Sequence, residues 1–367
     1  MNINLHTPIN QLGYGIAGLN IARCLSKHFE VSLFPIGPIG VTNQADADVI
    51  TPMLKRSSML DFDAPSIKIW HQHDMADFVG KGLRIGYPFF ELSTFTEIEK
   101  HHLNSLDGIF VASSWAKDIC EKELEINKDN IFVVPLGVDT NIFKPSKQEV
   151  IPPNKNTVFF NCGKWEIRKG HDVLVTLFNS AFTKEDNVEL WMLCDNLFLS
   201  EEETQSWVEV YKGSELGDKI KIIPRVNTQQ EVYNIMSKVD CGVFPSKAEG
   251  WNLELLELMA CGKNVIATNC SAHTEFCNEK NCMLIDVEEQ EDAYDGKWFH
   301  GTGKWGKVTE NFIHQGIEHM KEVHRKKQNK ILKLNIDGIS ASENFSWENS
   351  ARKITEYVQI LQNKKSR

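Results

Sequence analysis

The chain of 367 residues contains nine cysteines but no Cys-x-x-Cys pair and no other metal-like spacing. That absence argues against a zinc ribbon and against a dithiol redox motif. Several of the nine sit in apolar, strand-like runs, where cysteine acts as a small hydrophobe, so a reducing, cytoplasmic compartment is expected. No stretch approaches ~18 consecutive apolar residues, so no membrane span is expected, and peripheral membrane contact stays open. The first twenty residues lack a charged start followed by an apolar core, so no signal peptide is expected. Positive charge is in deficit, with 40 Lys and Arg against 50 Asp and Glu, a net charge of −10. This argues against a general polyanion binder and leaves room for a local basic pocket. Oligomeric state leaves no trace in these numbers.

What is present is a packed globular composition, 41% hydrophobic and 10% aromatic, in a chain long enough for two domains. The first half alternates strand-like runs (29–36, 66–71, 83–89, 109–113, 131–134) with helical patterns (19–28, 94–104, 114–124). A polar, proline-containing stretch at 144–156 reads as a linker. A second series follows, with strands at 157–162, 188–194, 220–224, 241–244, 264–267 and 283–286. Helices are expected near 170–179, 201–212, 228–238 and 253–261. Alternation of this kind predicts an α/β protein of two Rossmann-like parallel-sheet domains, over 1–145 and 157–340. Ligands of such sheets bind at the carboxyl ends of the strands. Residues 345–361 read as a capped helix with Trp347, Ile354, Tyr357 and Ile360 as anchors. The acidic and then aromatic segment 286–307 has no clear period and reads as a surface insertion.

Several constellations carry chemistry. Glu249 and Glu257 lie eight positions apart, one just before a helix and one inside it. Asn252 can cap that helix and Gly262 can close it. The N-terminal turn next to Gly250, Trp251, Asn252 and Leu253 offers backbone N–H groups and a positive dipole end to an anion. Donors for a phosphate beside two carboxylates for hydroxyl groups suit a nucleotide sugar. A buried helix with an exposed Glu and an edge Glu gives the same pattern. Lys164, Arg168 and Lys169 place three cations in six residues after a strand, suited to a diphosphate leaving group or to a basic exposed turn. Gly13-Tyr14-Gly15-Ile16-Ala17-Gly18 is a literal G-x-G-x-x-G, but the next strand ends Phe34-Pro35-Ile36-Gly37 without the acid that a dinucleotide ribose requires. His71 and His73 end a predicted strand and fall on one side by alternation. Glu91 ends the run after Tyr87, as an acceptor contact or a helix cap. Asp46-Ala47-Asp48 and Asp61-Phe62-Asp63 are D-x-D triplets of the kind that arise by chance, and no metal is expected.

The stretch from Glu249 to Glu257 resembles the E-x7-E motif of retaining glycosyltransferases of family 4, which have the GT-B fold. Phe244-Pro245-Ser246 before it and Met259-Ala260-Cys261-Gly262 after it match as well, with Asn264 where the family usually has Pro. Lys164 stands where Arg is usual, and Lys169-Gly170 is kept. Ser271 and Ala272 precede Glu275 where the family often has two glycines, which puts close backbone approach there in question. The resemblance implies two domains facing an interdomain cleft, with the last helix (341–367) crossing back to the first. It implies a nucleoside-diphosphate sugar as co-substrate, no other cofactor, and retention through attack on one face. Glu257 would then hold the ribose diol, and Lys164 and Lys169, with Arg168 as an extra cation, the diphosphate. Glu249 would contact the sugar, Gly15 the phosphate side, Arg225 the base or phosphate, and one of His71 and His73 the sugar. The acceptor could be a glycan, a lipid, a protein or a modified nucleic-acid base. Within the same fold, a sugar-nucleotide epimerase, a phosphorylase or a non-catalytic binding protein are the alternatives. Lys169→Ala is expected to lower turnover far more than it changes folding.

Overall fold

The computed structural model describes residues 1–146 and 156–365. The linker expected over 144–156 therefore falls, from 147 to 155, outside the described residues. By internal contacts the chain divides into two compact units, Met1–Val138 together with Asn344–Arg367, and Asp139–Glu343.

The first unit holds a parallel six-stranded sheet of β1 (Asn2–Thr7), β2 (Glu30–Pro35), β3 (Ser66–Lys68), β4 (Arg84–Gly86), β5 (Gly108–Val111) and β6 (Ile131–Val133). The spatial order is β2-β1-β3-β4-β5-β6. Asn2 to Thr7 pair in register with Glu30 to Pro35. Helices α1 (Gly13–Leu25), α2 (Gln44–Arg56), α3 (Glu97–Asn104) and α4 (Ser114–Glu123) connect these strands. Strand β1, unmarked in the sequence reading, is central. Ile3 and Leu5 are fully buried, and so is Asn4, whose amide donates to Asp61 O at 3.1 Å.

The second unit repeats the plan. Its parallel sheet is built from β7 (Thr157–Gly163), β8 (Val188–Cys194), β9 (Ile220–Ile222), β10 (Cys241–Phe244), β11 (Asn264–Asn269) and β12 (Met283–Asp286). The order is β12-β11-β10-β7-β8-β9. The register runs from Thr157 opposite Val188 to Gly163 opposite Cys194. Helices α5 (His171–Ala181), α6 (Glu201–Lys212), α7 (Gln229–Met236) and α8 (Leu253–Ala260) alternate with the strands. The core gathers Phe159, Leu190, Val243 and Ile266 from one face of the sheet with Leu174 and Phe178 of α5.

The surface insertion expected over 286–307 is ordered and largely exposed. Most of it forms an antiparallel hairpin of β13 (Gln290–Tyr294) and β14 (His300–Gly306). Trp305 is buried with Lys247 Nζ 5.6 Å from its ring, and Gly306 N–H donates to Lys247 O at 2.8 Å. The hairpin is thus pinned to the loop after β10. Helices α9 (Glu310–Gln328) and α10 (Ile336–Asn344) follow. Helix α11 (Trp347–Lys365) packs in the first unit, where Ser350 Oγ donates to Pro135 O at 2.6 Å and Tyr357 stacks on Phe132 at 4.4 Å. Trp347 and Ile354 are buried anchors, joined by Val358 and Leu361. Among the described residues no helix is long and apolar enough to cross a membrane. All nine cysteines are free thiols.

Candidate functional site

Doubly wound sheets bind ligands outside the strand carboxyl ends, where the strand order reverses. In the second unit, successive strands β7, β8 and β9 run one way from β7, while β10, β11 and β12 run the other. The reversal lies between β7 and β10. The residues that follow these two strands are Lys164 to Gly170 and Pro245 to Asn252, so the topology itself brings the two motifs together.

In the first loop Trp165, Glu166, Arg168 and Lys169 are buried, while Lys164 and Ile167 are only partly so. Trp165 is buried and stacks on Trp207 at 5.6 Å, which anchors the loop in the core. Lys164 is the exposed cation, with its side chain 44% accessible and Nζ 2.9 Å from Glu166 Oε1. Glu166 is buried, and its backbone N–H donates to His171 Nδ1 at 3.1 Å. Burial pushes the Glu166 carboxyl up, but Arg168, Lys164 and Lys169 together hold it down to about 2. Burial and Lys169 keep His171 neutral, at about 3. Gly170 caps α5 with φ +71°, and a Cβ there would lie 2.1 Å from Pro245 O. Glycine is required twice, for the left-handed backbone and for the close approach of the two loops.

Glu249 is the centre of the cluster. It is buried, with Oε1 accepting from Lys169 Nζ and Ser246 Oγ, both at 2.9 Å, and Oε2 from Arg168 Nη1 at 2.9 Å. An ionised carboxylate offers about four lone-pair positions, so one acceptor direction is left. Burial works against its charge, yet Lys169 and Arg168 hold it ionised far below the usual carboxylate range. The same partnership, through Glu249 and then Glu254, outweighs burial and keeps Lys169 charged well above the ordinary lysine value.

The sequence groups Arg168 with the donor-site cations, as an extra one whose side chain could point either way. Its side chain is only 5% exposed and bridges Glu166 Oε2 at 2.6 Å to Glu249. Two buried carboxylates draw it inward. Arg225 follows the edge strand β9 and pairs at 3.7 Å with Asp195, whose N–H donates to Gly163 O at 3.2 Å.

Behind Glu249, Gly250, Trp251, Asn252 and Leu253 are all buried. Asn252 caps α8 by accepting from Leu255 N–H at 3.1 Å and takes φ +85° to do so. Its amide donates to His273 Nε2 at 2.9 Å, while His273 Nδ1 lies 3.0 Å from Thr268 O. A carbonyl can only accept, so Nδ1 carries the proton and Nε2 is the acceptor. The cap satisfies one of the N-terminal N–H groups of α8. The other first-turn groups lack intrahelical partners by helix geometry. Glu257, inside α8, is buried, and no hydrogen bond or ion pair reaches its side chain among the described residues. Burial and then Glu254 push its carboxyl well above the usual value.

His273, Ser246, Ser271 and Glu166 escaped the sequence reading. Ser271 stands where the resemblance expects glycine, and it adopts the left-handed backbone regardless, at φ +49°. Its Oγ accepts from Glu249 N–H at 2.8 Å, and Ala272 N–H donates to Glu249 O at 3.2 Å. The missing glycines therefore do not open this turn. The readable signal was a hydroxyl in a family glycine position.

In the first unit, β1 and β3 flank the corresponding reversal. Helix α1 starts at Gly13 with no side-chain cap and no acid in its first turn. A Cβ on Gly15 would lie 2.2 Å from Asn10 Oδ1, and one on Gly18 2.1 Å from Thr7 Oγ1. Close packing on the preceding loop accounts for both glycines without a dinucleotide. After β3, Gln72–Asp74 forms a 3-10 turn rather than a strand end. The turn, not strand alternation, stacks His71 on His73 at 5.3 Å. His71 is half-buried and packs on Tyr14 at 4.6 Å, whereas His73 is exposed. Tyr14 Oη donates to Phe89 O at 2.8 Å and accepts from Phe89 N–H at 3.1 Å. Burial, then the charge of Glu91, pushes the Tyr14 phenol well above its ordinary value. Glu91 is not the cap of α3, which Thr96 and Glu99 close as a capping box. Of the D-x-D triplets, Asp46 pairs with Arg23, and Asp61 accepts from Asn2 and from Asp63 N–H. No group of three potential metal ligands occurs among the described residues.

Residues 156–296 match the family model described as Glycosyl transferases group 1. A protein of Thermosipho melanesiensis described as a probable sucrose-phosphate synthase is 27% identical over 168 residues, covering 44% of this chain and 38% of that protein. The chain thus matches well under half the length of that relative. Among solved structures, the sucrose-phosphate synthase of Thermosynechococcus elongatus superposes with a TM-score of 0.71 at 14% identity, over 99% of both chains. Anabaena HepE, solved in complex with UDP-glucose, gives 0.70 at 14% identity over 98% of this chain and 99% of that one. These likenesses show the GT-B fold.

Proposed function

We propose that the chain is a retaining glycosyltransferase that moves a sugar from a nucleoside-diphosphate sugar to an acceptor, without a metal. The observation that carries the proposal is the Lys169–Glu249 ion pair at the strand-order reversal, beside the exposed Lys164 and the N-terminus of α8. The match of residues 156–296 to a glycosyltransferase family supports it.

In this reading Lys164, Lys169 and the first-turn N–H groups of α8 stabilise the charge that develops on the diphosphate as the glycosidic bond breaks. Fixed cations would supply what a divalent ion supplies elsewhere. Glu257, buried without a protein partner, would receive the ribose diol. Glu249 keeps one acceptor direction for a sugar hydroxyl, and its main work is to hold Lys169 in place. Within the first unit considered by itself, Gly15 at the N-terminus of α1 and the supported ring of His71 are given a part in binding phosphate or sugar, and Glu91 a part in binding an acceptor hydroxyl. Between the two histidines the proposal selects His71, because Tyr14 fixes its ring.

The test is incubation with UDP-, GDP- and ADP-sugars over a panel of glycan, lipid and protein acceptors, followed by NMR of the new anomeric centre. Retained configuration supports the proposal. Inverted configuration, or conversion of the donor with no acceptor needed, contradicts it.

A further inference from the structure

We infer that Arg168 is a positioning residue, which fixes Glu249 and the loop before it from behind and does not itself meet the donor. The inference rests on the glycosyltransferase reading above. It assigns one of the three clustered cations a different task from the other two.

Arg168 holds three successive residues of the second loop. Its backbone O accepts from Lys247 N–H at 2.7 Å, and its Nη1 donates to Ala248 O at 2.7 Å and to Glu249 Oε2 at 2.9 Å. Nη2 turns the other way, to Glu166 Oε2 at 2.6 Å. Glu166 is in turn the counter-ion of Lys164, through its other oxygen at 2.9 Å. A chain of alternating charge therefore runs Lys164, Glu166, Arg168, Glu249, Lys169. The cation at its exposed end is 44% accessible, and Arg168 in the middle is 5% accessible. Accessibility sets Arg168 apart from Lys164; what sets it apart from Lys169, whose side chain is itself only 11% accessible, is that both of its terminal nitrogens are engaged by protein groups.

The choice of arginine follows from shape. A planar fork can serve two carboxylates and a carbonyl at once. A lysine ammonium carries the same charge but is a single point on a flexible stem, so it cannot span Glu166, Ala248 and Glu249 together. Arg168 thus fixes which way Glu249 presents Oε1, and with it where Lys169 Nζ stands. Misplacing a charge of this kind by an ångström is enough to lose rate while leaving ground-state binding intact.

The experiment is a double-mutant cycle with Arg168→Lys and Glu249→Gln, measuring kcat, donor KM and nucleoside diphosphate affinity for all four proteins. Arg168→Lys is expected to lower kcat by up to about 100-fold. Nucleoside diphosphate affinity should stay within about threefold, and in the Glu249→Gln background the same change should cost little more, because Arg168 acts through Glu249. A tenfold or greater loss of diphosphate affinity with kcat retained, on the order of a directly lost charged hydrogen bond, would make Arg168 a donor cation and overturn the inference. Losses that multiply in the double variant would make it a general support of the fold and overturn it too. A wild-type protein that neither binds nucleoside diphosphates nor transfers sugar is a separate outcome, which refutes the functional reading and the inference with it.

Discussion

Lys169 Nζ lies 2.9 Å from Glu249 Oε1, with the two side chains 11% and 5% exposed, so each is the other's buried counter-ion. The pair joins the loop after β7 to the loop after β10, and everything proposed for the site depends on it.

That burial changes the expectation for Lys169→Ala. Removing one partner of a buried pair leaves an uncompensated charge, at a cost of about 3–5 kcal/mol. Lys169→Ala should therefore lose stability as well as turnover. Urea unfolding followed by fluorescence checks this. An unchanged midpoint would mean that Glu249 finds adequate compensation from Arg168 and Ser246 alone.

Glu257→Ala should weaken nucleoside diphosphate binding by ~0.5–1.5 kcal/mol, the range for a hydrogen bond to an uncharged group, since burial and Glu254 favour the neutral carboxyl. Titration calorimetry reads it directly. Unchanged affinity would remove Glu257 from the site.

The pH dependence of stability separates two kinds of glutamate. The Glu166 carboxyl is depressed from 4.5 to about 2 in the fold. Its contribution is present above 4.5 and is lost as the pH falls through about 2. Glu257 is raised instead, so its contribution is complete below 4.5 and is lost as the pH rises through its elevated value. Between pH 4.5 and 2 the wild-type melting temperature should fall more steeply than that of Glu166→Gln. As the pH rises above 4.5, Glu257→Gln should gain on the wild type. Parallel curves in either comparison would contradict the assignment.

Ser271 couples strain to function in a small way. A left-handed non-glycine residue costs on the order of 1–3 kcal/mol. Ser271→Gly relieves that strain while losing the hydrogen bond to Glu249 N–H. Ser271→Ala keeps the strain and loses the bond. Thermal melts should rank Ser271→Ala below Ser271→Gly, and the reverse order would show that the backbone there is relaxed.

The second sheet was legible because its strands are apolar runs bounded by turn residues, and all six start at the expected residue; β7 and β11 extend past the expected end and β9 stops short of it. Strand β1 was not, because Asn4 interrupts its apolar pattern, and only the fold shows that Asp61 O receives the amide. Helix α9 was missed for a related reason. Gly316 occupies its buried stripe between Phe312 and Met320, where Leu177 leaves no room for a side chain. The positions of Glu249, Glu257, Lys164 and Lys169 were readable from spacing. The direction of Arg168 was not, since it depends on Glu166 and Glu249 being buried on the same side. The left-handed turn at Ser271 was not legible, since no glycine marks it and only the fold shows that its hydroxyl accepts from Glu249 N–H.

The most direct test of the central claim is the thermal shift of the intact protein with UDP, GDP, ADP and NAD at equal concentration. A ligand at ~100 times its dissociation constant stabilises by about 2.7 kcal/mol. The account predicts a clear shift with at least one nucleoside diphosphate, reduced in Glu257→Ala. A shift with NAD alone, or with none of the four, would contradict it.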